Sequence, residues 1–154
     1  MTGSSMKTFL LVIVLFYSQL TFGKDIYLSC LVGGTSNHSN GTSLNIPNKR
    51  VSVEISEMSS KFISINGEDE YILSVSTMGS SPNRKVLDLS NENKYDILNI
   101  FENPNGNIIR STTQITINRV TGLISYSSSS DFKSGSNLSK SLSGSCEKVS
   151  NKKF

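Results

Sequence analysis

The stretch over residues 50–57 reads Arg-Val-Ser-Val-Glu-Ile-Ser-Glu and alternates polar and apolar residues from Arg50 to Ser56. Successive side chains of a β-strand point to opposite faces of a sheet. The pattern therefore predicts a half-buried strand whose inner face carries Val51, Val53 and Ile55. A strand of this kind needs a partner sheet or a closed barrel to cover its apolar face.

Segments on both sides of this stretch carry shorter versions of the same pattern, and they are separated by turn residues. Asn66-Gly67 is a strong hairpin signal, residues 103–106 read as a turn, and Arg119–Gly122 is a hairpin in which Gly122 is free to adopt a positive φ. Two further apolar runs, 86–89 and 95–101, are of less certain type, although the second favours a strand. We predict strands at 26–32, 61–65, 71–76, 108–118 and 123–127, and a short last strand over 142–146.

Two long polar stretches, 33–49 and 127–143, contain mainly Ser, Asn, Gly and Thr. They show no periodicity and offer few apolar side chains to offset the entropy of ordering them. We therefore predict mobile loops, which would be the contact surface if the protein binds a partner or an envelope ligand. The charged residues 148–154 are expected to form a frayed tail.

The composition supports the same fold class. The chain has 154 residues with 30 Ser, 15 Asn, 14 Ile and 9 Val, and it contains no Ala. Ala is the best helix former and β-branched residues favour strands, so a helical bundle is excluded. We predict one all-β domain over residues 24–147, either an antiparallel β-barrel or a β-sandwich.

The N-terminus has the layout of a secretory signal peptide over residues 1–23. Lys7 precedes a nine-residue apolar run, and Thr21 and Gly23 are small residues before a cut at Lys24. Met6 is a better initiator than Met1 because the charge then lies beside it. The run is too short for a transmembrane helix, so we expect a mature chain without a transmembrane segment that is periplasmic or secreted. The alternatives are a buried core helix and a retained anchor.

The two cysteines, Cys30 and Cys146, lie near the two ends of the expected mature chain. An oxidising compartment favours a disulfide between them, which would join the first and last strands. The alternative is a pair of free buried thiols.

The sequence contains few residues suited to catalysis or to metal binding. His38 is the only histidine and has no nearby carboxylate, which predicts an exposed loop residue and no catalytic site. One histidine and two cysteines exclude most zinc and haem sites, and we predict no metal and no cofactor. The net charge of +3 is too mild to indicate nucleic acid binding. The acidic triplet 68–70 reads as a solvated turn, with a hard cation as the alternative.

Three short motifs resemble one pattern: Tyr-Leu-Ser-Cys at 27–30, Ile-Asn-Arg-Val-Thr-Gly at 117–122, and Gly-Ser-Cys at 144–146. Together with the leader, they look like a loose group of small, uncharacterised exported bacterial proteins. The resemblance covers the two ends of the chain and the late hairpin. It implies export and a disulfide, and it implies no activity.

A second resemblance is to the periplasmic inhibitors of C-type lysozyme, which are small exported β-barrels with an early and a late cysteine. Their inhibitory loop is most similar here to Ser134–Lys140. Because the sequence contains no base–nucleophile pair, no metal-ligand set and no cofactor fingerprint, we expect a non-catalytic binding or envelope-associated protein. The alternatives are an inhibitor of a lytic enzyme such as lysozyme, and a hydrolase that uses a carboxylate pair and so leaves no local signature.

Overall fold

The computed structural model of the chain describes residues 25–57, 61–67, 73–77 and 81–149. The expected signal peptide and the acidic triplet 68–70 lie outside these residues. The described residues form nine strands: β1 (Ile26–His38), β2 (Ser43–Glu57), β3 (Lys61–Asn66), β4 (Leu73–Ser76), β5 (Arg84–Asp88), β6 (Lys94–Glu102), β7 (Ile108–Asn118), β8 (Leu123–Phe132) and β9 (Asn137–Val149). The predicted all-β class is confirmed.

The strands form one antiparallel sheet in the order β4-β3-β2-β1-β9-β8-β7-β6-β5, which curls into a nearly closed barrel. Each strand except β4 and β5 pairs on both sides, and the first strand pairs with the last. Eight antiparallel steps separate β4 from β5, so these two end strands run in the same direction. Closing the barrel between them would therefore need one parallel pair, and the sheet instead ends in a seam at this position. An ion pair bridges this seam: Nζ of Lys61, at the start of β3, lies 2.9 Å from Oδ2 of Asp88, at the end of β5.

The predicted alternation in β2 is confirmed. Val51, Val53 and Ile55 are buried, whereas Ser52 and Glu54 are only half-buried. The same two-residue period in the other strands fills the barrel interior with branched aliphatic side chains. The buried apolar residues are Cys30, Val32, Ile46, Val51, Val53, Ile55, Ile63, Ile65, Val75, Tyr95, Ile97, Ile115, Ile117, Ile124, Tyr126 and Leu142.

The disulfide between Cys30 and Cys146 is present, as predicted, and joins β1 to β9. The two cysteines are directly opposite one another in the antiparallel ladder. Next to the bond the two strands approach closely, because a Cβ on Gly144 would lie 1.9 Å from the Leu31 carbonyl oxygen. Only glycine can occupy that position without moving β1.

The predicted loops at 33–49 and 127–143 are wrong. The β1–β9 ladder continues to His38 opposite Leu138, and the β8–β9 ladder continues to Asp131 opposite Asn137. Only residues 39–42 and 133–136 form turns there. The cause is that most of each stretch extends beyond the apolar core, to which the two stretches contribute only the buried side chains of Ile46 and Leu142. Elsewhere both faces are mainly polar, so the alternation that reveals a strand is missing, and pairing with neighbouring strands supplies the backbone hydrogen bonds.

Two other boundaries also differ from the sequence prediction. Strand β9 continues to Val149, so Lys148 and Val149 are strand residues rather than part of a frayed tail. Residues 150–154 lie outside the described chain. The run 86–89 is largely β5 and the run 95–101 lies within β6, so both apolar runs of uncertain type contribute strands.

Candidate functional site

A cleft of about 380 Å³ opens at the end of the barrel where the β7–β8 turn lies. We call it the end cleft. It is bounded by the first residues of β1 and β6 and by the last residues of β2, β7 and β9. The end cleft is lined by Ile26, Leu28, Ile55, Tyr95, Ile117, Asn118, Arg119, Val120, Thr121, Gly122, Cys146 and Lys148.

The floor of the end cleft is apolar. Ile55, Ile117 and Tyr95 belong to the barrel core and are between 0% and 4% exposed. Ile26 and Leu28, on the same inward-facing side of β1, are partly buried against that core. An apolar ligand group placed here would continue the packing of the barrel interior.

The rim of the end cleft is cationic. The Arg119 guanidinium carbon lies 4.8 Å from the centroid of the Tyr95 ring, a distance at which a cation–π interaction is favourable. Lys148 lies two residues beyond Cys146 in β9 and therefore on the same side of the sheet. In the described chain, neither cation forms an ion pair, and the lining includes no Asp or Glu. The cleft therefore presents a positive potential to solvent.

The β7–β8 turn holds Arg119 in place. Val120 N and Thr121 N donate hydrogen bonds to Asn118 Oδ1 at 2.9 and 2.8 Å, and Gly122 N donates to Asn118 O at 2.9 Å. Gly122 has φ +72°, so the predicted hairpin and its positive-φ glycine are confirmed. The sequence reveals the turn, but it does not show that the turn borders a cleft.

This turn is attached to the strand that carries the disulfide. Cys146 N donates a hydrogen bond to Gly122 O at 2.8 Å. A Cβ on Gly122 would lie 2.5 Å from Cys146 O, so the backbones of the turn and of β9 are in direct contact. The position of Arg119 therefore depends on the pairing of β9.

A second groove, of about 390 Å³, brings two carboxylates to one site. Glu54 and Glu147 both line it, along with Tyr27 and Arg50. Arg50 Nη1 donates to Glu147 Oε1 at 2.6 Å, and both side chains are more than 60% exposed. The hydrolase hypothesis requires a carboxylate held as a general acid in an enclosed setting. Glu147 is exposed and paired with Arg50, and Glu54 is only half-buried, so neither carboxylate is held in such a setting.

Among the described residues, one carboxylate is buried, and no motif in the sequence singles it out. Asp96 lies on the outer side of β6 and is 3% exposed. Gln114 Nε2 and Thr116 Oγ1 donate to its Oδ1 at 2.8 and 3.2 Å, and Lys94 Nζ donates to its Oδ2 at 2.6 Å. Burial raises the pKa of the Asp96 carboxyl, but the hydrogen bonds from Gln114 and Lys94 outweigh it and hold the pKa below its ordinary value.

The arrangement around Asp96 is structural, since its donors come from β6 and β7 and tie these strands together. The signal in the sequence is an aspartate directly followed by apolar residues in a strand, which requires a partner for the charge.

The remaining predicted candidates do not assemble into a site. His38 is exposed, as expected, but it is the last residue of β1 rather than a loop residue. Among the described residues, no three His, Cys, Asp or Glu side chains are placed to hold a metal ion. The Ser134–Lys140 stretch forms a tight turn, with Gly135 at φ +81°, followed by the start of β9. It is therefore a hairpin tip rather than an extended loop.

Comparisons with protein families, curated proteins and solved structures find no match for this chain. In the described ranges, no helix has the length and hydropathy needed to cross a bilayer.

Proposed function

We propose that the protein is an exported, non-catalytic binding protein that takes its ligand in the end cleft. The observation that supports this most is the lining of the cleft, which combines an apolar floor, two cations and no carboxylate or histidine. Such a lining can bind and orient a ligand. It lacks the usual general bases of hydrolytic sites.

The export part of the proposal rests on two independent features. Residues 1–23 have the charged, apolar and small-residue segments of a signal peptide. The Cys30–Cys146 bond is of the kind that persists in an oxidising compartment. Intact mass of the protein recovered from the cell envelope tests this part, and a retained leader would contradict cleavage at Gly23.

The end cleft is a different surface from the one expected from the sequence, which is formed by residues 33–49 and 127–143. Those residues are mainly paired strands with short turns. Binding sites in barrels are commonly found at the mouth, where inward-facing side chains meet solvent. The end cleft is such a mouth, and its rim is a turn fixed by hydrogen bonds.

The test is a titration of isotope-labelled protein with fractions of envelope extract, followed by amide chemical shifts. We expect shifts at Arg119, Thr121 and Gly122 and none at the β8–β9 turn, 133–136. Thr121→Trp, which adds bulk at the rim, should abolish the shifts, whereas the matched substitution Ser134→Trp should not. Shifts confined to the β8–β9 turn, or turnover of an extract component by the wild-type protein, would contradict the proposal.

A further inference from the structure

We infer that the ligand of the end cleft is an anionic amphiphile with a single alkyl chain, whose tail covers the apolar floor and whose head group binds Arg119 and Lys148. This inference rests on the proposed function and names its ligand class. It follows from the separation of apolar and cationic groups within one cleft.

The size and walls of the cleft favour a single alkyl chain. Its volume of about 380 Å³ lies at the lower end of the range for small-molecule sites. Ile26 and Leu28 are partly accessible and offer branched aliphatic contacts without a hydrogen-bonding group, and the buried side chains of Ile55 and Ile117 close the floor next to them. A flexible hydrocarbon chain can follow such a surface, whereas a sugar or a peptide would leave its polar groups without partners there.

The rim favours an anionic head group. Arg119 is held over the Tyr95 ring, so the planar fork of its guanidinium loses less freedom when it binds a carboxylate through two hydrogen bonds. Lys148 adds a second positive charge, and the lining contains no Asp or Glu that would repel an anion at close range. A cationic head group would be repelled by the same two residues.

The experiment is calorimetric titration of the oxidised protein, below the micelle concentration of each probe, with decanoate, 1-decanol and decyltrimethylammonium. We expect decanoate to bind at one equivalent and at least tenfold more tightly than the other two, because a hydrogen bond to a charged group contributes more than a neutral one. Octanoate should bind about fifteenfold more weakly than decanoate, which follows from the loss of two buried methylene groups. Added salt should weaken the binding of decanoate.

Two substitutions test the head-group contacts. Arg119→Gln and Lys148→Gln should each weaken decanoate binding about tenfold, while Lys133→Gln, which removes a lysine from the distant β8–β9 turn, should leave it unchanged. Thermal unfolding of each variant confirms that the barrel is intact, and Lys148→Gln alone carries the test if Arg119→Gln unfolds.

Equal decanoate affinities for wild type and both glutamine variants would overturn the inference, as would equal binding of decanoate and decyltrimethylammonium. Either result would mean that the probes adsorb through their chains alone. If decanoate fails to bind while envelope extract still shifts the β7–β8 turn, the ligand class is wrong and the proposed function stands. If neither decanoate nor envelope extract shifts the amide signals of the β7–β8 turn, both the ligand class and the proposed function are wrong.

Discussion

Removal of the disulfide tests how the barrel is held together. The double variant Cys30→Ala, Cys146→Ala removes the covalent link between the first and last strands and keeps the backbone hydrogen bonds of the ladder between them. The two cysteines lie 116 residues apart in sequence. The chain-entropy treatment assigns about 5 kcal/mol to closing a loop of this size. Since domains of this size are stable by about 5–15 kcal/mol, the variant should lose a large share of its stability.

The assay is urea unfolding of the oxidised wild type and of the variant. We expect a loss of about 4–5 kcal/mol and a larger dependence of the unfolding free energy on urea, because the unlinked chain exposes more surface when it unfolds. Reduced wild-type protein is the control, since it keeps both sulfur atoms in the core. A loss below 1 kcal/mol in both samples would refute the reasoning, because the β1–β9 contact would then already persist in the unfolded chain.

Three other perturbations follow from single features of the barrel. Asp96→Asn should cost about 2 kcal/mol at pH 7, against about 0.5 kcal/mol for Asp88→Asn at a more exposed ion pair, and urea unfolding measures both. The folded-state pKa of Asp96 is lowered, so the stabilisation from its charge is complete above the pKa of an unfolded aspartate and is lost as the pH falls through the folded-state pKa. The unfolding free energies of wild type and Asp96→Asn should therefore converge in acid. Gly122→Ala should cost about 3 kcal/mol in thermal unfolding, since it combines a positive φ with a clash against β9, while Gly41→Ala has a similar φ in open space and should cost about 1 kcal/mol. Backbone amides of residues 138–143 should exchange slowly with solvent in hydrogen-exchange measurements, because β9 is paired on both sides there.

Each of these three predictions can be contradicted independently of the other two. Equal costs for the two glycine substitutions would show that the turn can move away from β9. An Asp96 variant that stays less stable by the same amount in acid would mean that its charge contributes nothing. Fast amide exchange across residues 138–143 would mean that this segment is a mobile loop, as its polar composition predicts, rather than a paired strand.

The fold class could be predicted because the apolar half of the barrel displays its geometry in the sequence. Val51, Val53 and Ile55 alternate with polar residues, since one face of β2 meets the core and the other meets solvent. The turn at Gly122 could be predicted for a similar reason, because its backbone conformation restricts the residue type. The disulfide followed from an even cysteine count in a chain expected to be exported.

The outer halves of β1, β2, β8 and β9 could not be predicted. Apart from Ile46 and Leu142, their inward side is mainly polar: Ser130 Oγ of β8, for example, forms a hydrogen bond with Ser111 Oγ of the neighbouring strand β7 at 3.0 Å. Nothing in such a segment distinguishes a strand from a loop until its neighbours are known. The end cleft was hidden for another reason, because its residues come from five strands that are distant in sequence.

These features make the end cleft dependent on the closure of the barrel. Cys146 is bonded to the first strand, its backbone N–H holds the turn that carries Arg119, and Lys148 follows two residues later. One short segment of β9 thus joins the barrel, positions one rim cation and supplies the other. If the two ends of the chain separate, the floor loses Ile26 and Leu28, and the rim loses Lys148, which is the ladder partner of Leu28. On the proposed function, the disulfide therefore stabilises the binding site together with the barrel, and reduction should weaken ligand binding only to the extent that it favours the unfolded chain.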